Sequence, residues 1–168
     1  MLKEYENDCH IKIDIQKIAD LLLEYTSGYP YLVSKLCKWM DEKTKSIDNA
    51  WTQEGFLEAV RALLSENNTL FESLIGKLMD YTELNKILEK LLFSGKAISY
   101  NATSPSIQLA LMFGFIKNED GKVVPANRIF DTLLYNHFLS MDELQDSDIY
   151  KASLEELNRE PEVLEGRI

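Results

Sequence analysis

Apolar residues recur at helical spacing along most of the chain. Leu2, Tyr5 and Glu6 fall on adjacent turns of a short helix over 2–8 that starts abruptly and reads as the end of something longer. Ile15, Ile18, Ala19, Leu22 and Leu23 then match the i, i+3, i+4, i+7, i+8 template of an amphipathic helix over 11–26. After a corner at Gly28 to Pro30, Leu32, Val33, Leu36, Trp39 and Met40 repeat the pattern to about Lys43. A polar loop of Lys43, Thr44, Lys45, Ser46, Asp48 and Asn49 follows. Thr52 can cap a helix with Phe56, Leu57, Val60, Leu63 and Leu64 on its apolar face. Thr69 with Glu72 has the spacing of a capping box ahead of the stripe Leu70, Phe71, Leu74, Ile75, Leu78 and Met79. Leu84, Ile87, Leu88, Leu91 and Leu92 form the next helix, stopped by Gly95.

Beyond Gly95 the period changes. Residues 97–100 read as a short extended piece, and Ser104-Pro105 opens a helix that runs to Phe113 and ends at Gly114. Residues 115–117 and 122–124 flank Asn118-Glu119-Asp120-Gly121, a hairpin signal. A helix over 127–139 with Ile129, Phe130, Leu133, Leu134 and Phe138 on one face closes the series. Helix, short strand, helix and β-hairpin is the order of a winged helix. The expected architecture is mostly α: a helical lid-like bundle over 1–82, a winged helix with a small β-hairpin over 83–140, and an acidic linker or tail over 141–168 with one weak helical stretch at 153–158.

At 168 residues, 45% of them hydrophobic, the chain has material for one ordinary domain or two small ones. The net charge of −10 is concentrated in the tail, where nine acidic residues face three basic ones. Residues 83–140 are near neutral, with six basic against five acidic. No apolar run reaches the roughly 20 residues of a membrane helix, and the first residues do not resemble a signal peptide, so a cytoplasmic protein with no membrane partner is expected. Cys9 and Cys37 have no metal-ligand spacing and are expected as free thiols.

The corner is the most specific local chemistry. Gly28 suits the positive φ that closes a helix, and Pro30 suits the first position of the next. Tyr25, Tyr29 and Tyr31 crowd it, making either a packed hinge or a wall for a flat ligand. Elsewhere the chemistry is sparse. The pairs Gly76-Lys77 and Gly95-Lys96 lack the upstream glycine and the following hydroxyl residue of a phosphate-binding loop, so no catalytic residues are assigned. His10 and His137 have no ligand-spaced partners, and no metal site is expected. A DNA-binding winged-helix regulator would read bases with the helix over 104–113, yet that helix carries no Lys or Arg and offers only Ser106 and Gln108. Ile107, Leu111 and Met112 suit a surface that packs on another domain, which leaves a protein-interaction module as a further alternative. Arg128, at the start of the last helix, fits a salt bridge in the capping region.

The string from Tyr25 to Val33, with its Gly28-Tyr29-Pro30 corner, and the strings from Leu111 to Val123 and from Asn127 to Asn136 resemble the C-terminal half of a bacterial AAA-like ATPase of the STAND-related kind. They are similar to a branch in which a PD-(D/E)xK nuclease-like domain often follows, and the resemblance covers about residues 1–140. It implies a helical lid with a Gly-x-Pro corner followed by a winged helix. It also implies an upstream P-loop domain and a downstream domain in the same parent protein, with ATP or ADP and Mg bound by that parent and no cofactor in this portion. Gly28, Tyr29 and Pro30 would face the adenine side of the nucleotide, and Arg128 would take the alternative role of a sensor-like phosphate contact. The implied function is a non-catalytic lid and winged-helix portion that couples nucleotide state to domain or partner interactions.

Overall fold

The computed structural model describes residues 1–9, 12–44 and 50–146, with side chains to Asp142. Its elements are α1 (Leu2–Cys9), α2 (Ile15–Thr26), α3 (Pro30–Thr44), α4 (Gln53–Ser65), α5 (Thr69–Asp80), α6 (Thr82–Phe93), β1 (Ile98–Ser99), α7 (Pro105–Met112), β2 (Ile116–Glu119), β3 (Lys122–Pro125) and α8 (Arg128–Asp146). The protein is mostly α, with one small antiparallel sheet in the order β1-β3-β2. Two units are distinguished, Met1–Leu133 and Leu134–Ile168. His10, the polar loop at 45–49, the expected helical stretch at 153–158 and the acidic tail beyond Asp146 lie outside the described residues.

Within the first unit the closest packing falls into two sets. Helices α2, α3 and α4 pack on one another, while α5 packs on α6, α6 on α7, and α7 on β2. The first set buries Ile18, Leu22, Leu32, Leu36, Met40 and Phe56, each at the apolar spacing the sequence displays. The second buries Leu78, Leu84, Leu88, Ile107, Phe115 and Val123. Each such side chain contributes about 1.5–3 kcal/mol by leaving water. Helix α1 has no buried residue and is held by Tyr5. That ring lies 4.9 Å from the Trp51 ring, and its hydroxyl donates to Asp41. Burial, and then the bond to Asp41, pushes the Tyr5 phenol above its ordinary range.

The local signals fix most boundaries. Thr52 caps α4 by accepting from the Gly55 N–H at 3.2 Å. The hairpin turns at Asp120 and Gly121, both with positive φ (50° and 78°), which gives the right-handed strand twist its matching two-residue turn. Three elements differ from expectation. Asn68, not Thr69, caps α5: its Oδ1 accepts from the Phe71 N–H at 3.0 Å, so Thr69 and Glu72 sit one position too far into the helix for a capping box. Helix α2 begins at Ile15 behind the cap of Asp14. Helix α8 continues to Asp146, six residues into the expected tail, because Met141 to Asp146 contains no breaker and several good helix formers.

Candidate functional site

The corner between α2 and α3 is built around a buried threonine. Thr26 is fully buried; its hydroxyl donates to the Leu22 carbonyl at 2.6 Å and accepts from the Gly28 N–H at 3.1 Å. The Ser27 N–H donates to the Leu23 carbonyl (2.9 Å) and the Tyr29 N–H to the Thr26 carbonyl (3.0 Å). Ser27 and Gly28 both take left-handed backbone, φ 49° and 76°, so the reversal uses two residues where the sequence pointed to glycine alone. Pro30 is the first residue of α3, as expected, and its missing N–H leaves no orphan.

Gly28, Tyr29 and Pro30 are exposed. The Tyr29 ring is not a free face, however: it meets Phe130 edge-on at 5.3 Å. Tyr25 likewise packs edge-on against Phe56 at 5.3 Å. The guanidinium of Arg128 lies 4.4 Å from the centre of the Tyr25 ring and pairs with Glu24. Both partners of that pair are about half exposed, at 51% and 55%, so its worth is about 0–1 kcal/mol. The Arg128 salt bridge therefore reaches another helix 104 residues away in sequence and is not confined to its own capping region. Nothing in the sequence marked Glu24 as its partner, since a surface glutamate at the end of a helix is ordinary.

Beside the corner lies a hollow of about 200 Å³ bounded by Ser27, Lys117, Asn127 and Arg128, with Glu24, Glu119 and Asp131 also on its walls. Asn127 is buried and caps α8, its Oδ1 accepting from the Phe130 N–H at 2.8 Å. Lys117 pairs with Glu119 at 3.4 Å. Burial raises the Asp131 carboxyl above its ordinary range, and Arg128 partly offsets this. Each of the hollow's two cations thus faces a carboxylate, and an anionic ligand would have to displace these partners.

The other candidate residues separate. Ile107 is buried at 4% exposure and belongs to the core beneath α7, which corrects its expected place on an interaction surface. Spacing puts it on the same side as Leu111, but in a helix of 8 residues, about two turns, one face of so apolar a segment resembles another. Leu111 is half-buried and Met112 is exposed. Met112 adjoins Phe113, whose ring lies 5.4 Å from that of Tyr81 and beneath the Lys77 ammonium. Gln108 donates to the Ala102 carbonyl at 2.7 Å, so its amide is engaged locally. Gly76 and Lys77 are in the interior of α5, where the backbone is committed to helix. Cys37 lines a separate hollow with Tyr5, Asp41 and Trp51, and burial raises its thiol, which makes it a poor nucleophile. Among the described residues no group of His, Cys, Asp and Glu could hold a metal ion, and no helix is long and apolar enough to cross a membrane. Comparison of the chain with family models, curated proteins and solved structures returned no match.

Proposed function

We propose that the chain is the non-catalytic lid and winged-helix portion of an AAA-like ATPase, coupling the nucleotide state of a P-loop domain to the arrangement of its own two helical sets and of a partner domain. The observation that carries this reading is that Ser27, next to the Gly-x-Pro corner, and Arg128, distant in sequence, border one hollow, although Gly28, Tyr29 and Pro30 themselves do not line it. In a parent with a bound nucleotide, the exposed edge of Tyr29 and the first turn of α3 would face the base. Helix geometry leaves the N–H groups of Tyr31 and Leu32 outside the i to i−4 ladder there. Arg128 would meet a phosphate only by exchanging Glu24 for it. ATP or ADP with Mg is the ligand of the parent, the P-loop and downstream domains are partners in the same chain, and the setting is cytoplasmic.

Calorimetric titration of ADP and ATP tests this reading, with the chain alone and joined to an upstream P-loop domain. Binding confined to the joined form, and weakened several-fold by Tyr29→Ala or Pro30→Ala, is the expected result. Binding that ignores both substitutions would remove the corner from the nucleotide site. A second reading, a protein-interaction module, draws on the exposed Met112 beside the Tyr81 and Phe113 rings. It predicts that Met112→Lys abolishes self-association or capture of the downstream domain while leaving nucleotide binding intact.

A further inference from the structure

The two packing sets, both within the compact unit Met1–Leu133, are joined by a seam at two places. Between α4 and α5 the chain crosses at Glu66 and Asn68, both with extended backbone. The other join runs through the corner and the first turn of α8. That turn is fastened to the sheet, since the Ala126 N–H donates to the Phe115 carbonyl at 2.8 Å and Asn127 caps the helix that follows. From the first helical set, Glu24 and Tyr25 meet Arg128, and Tyr29 meets Phe130.

We propose that Glu24, Tyr25 and Arg128 form a clasp that holds the α2–α4 bundle against the winged helix, and that opening it lets the two sets reorient about the seam at 66–68. Two features fit a releasable device and not a permanent weld. The ion pair is half exposed, so salt or a competing anion can reach it. The guanidinium lies over a ring face, a contact that is lost together with the pair when Arg128 moves. Opening also parts the Tyr29–Phe130 contact and uncovers the otherwise buried Phe130 ring, a cost that keeps the closed arrangement dominant. The clasp gives the coupling proposed above a mechanical part, yet it stands or falls without any nucleotide.

The test is the distance distribution between nitroxide labels at Ser34 on α3 and Lys90 on α6, both exposed positions. It is measured by pulsed electron paramagnetic resonance on the full chain carrying Cys9→Ser and Cys37→Ser. The unsubstituted clasp is expected to give one dominant distance. Arg128→Gln should add a second population, the closed-to-open ratio falling about tenfold as ion pair and ring contact are both lost. Glu24→Gln should lower it about threefold, and 1 M NaCl should bring the unsubstituted clasp to the Glu24→Gln distribution. Glu24→Gln, at a half-exposed position, keeps the test decisive if Arg128→Gln proves unable to fold. Distributions of the folded variants that superimpose on the parent at both salt concentrations would overturn the clasp. If the populations shift as expected while ADP and ATP fail to bind the joined protein, the clasp survives and the nucleotide reading falls. Binding without any shift has the opposite meaning.

Discussion

Removing the cap of α8 tests how the hollow is held together. In Asn127→Ala the Oδ1 that accepts from the Phe130 N–H at 2.8 Å disappears. Loss of an N-cap side chain costs about 0.5–2 kcal/mol. The upper part of that range applies here, because Asn127 is 5% exposed and Phe130 only 1%, so water cannot readily take over the orphaned N–H. The expected loss is therefore about 1.5–2 kcal/mol, or roughly 3–8 °C in Tm at the 2–4 °C per kcal/mol typical of a domain this size. Asn127→Asp keeps the acceptor and puts a negative charge at a helix N-terminus, which is favourable. It also places that charge beside Glu24 and Asp131 at a buried position, so it should fall between the parent and the alanine variant. Urea denaturation followed by circular dichroism reads both. An alanine variant within about 0.3 kcal/mol of the parent, with an unchanged slope, would show that the cap is not what fixes this turn.

Thr26→Val keeps the shape of a fully buried side chain but leaves the Gly28 N–H without its acceptor, and a loss of about 1–2 kcal/mol in the same assay is expected. Parent-like stability would mean that the corner satisfies itself without the hydroxyl. Gly121→Val forces a β-branched residue to φ 78° and should cost about 2 kcal/mol, whereas Asp120→Gly at φ 50° should be neutral or stabilising. Equal melting temperatures for both variants would count against the turn assignment. Burial lowers the His137 imidazole below its ordinary range, so the folded chain favours the neutral ring. Its contribution is complete above about pH 6.5 and is lost as the pH falls through the depressed folded value. His137→Gln should flatten the fall in stability between pH 7 and 5; an unchanged pH profile would refute this.

The sequence by itself determined the elements and much of their order. Apolar spacing located α2 to α6 and α8, because each must bury one stripe and the stripe is written in local periodicity, whereas α7 was marked by Ser104-Pro105 at its start and Gly114 at its end. Asp120-Gly121, Gly114 and Pro30 marked their turns because positive φ or a missing N–H restricts the residue that can stand there. At the start of α5 the local pattern pointed to Thr69, with Glu72 three residues on, and the structure puts the cap one residue earlier, at Asn68. The choice went to the side chain whose oxygen reached a free N–H.

Only the tertiary structure decided which exposed charges meet. Glu24 and Arg128 each look like ordinary surface residues, and their pairing depends on how the corner lies against the start of α8. It decided that Ile107 belongs to the core and Met112 to the surface, since α7 is apolar apart from Ser106 and Gln108 and too short for periodicity alone to give it an outward face. It also made Thr26 the pivot of the corner, through two hydrogen bonds to a hydroxyl that no pattern of hydrophobic and polar positions distinguishes from a solvated one. Periodicity records what each segment must bury, whereas a site depends on which buried or exposed groups from different segments arrive at the same place.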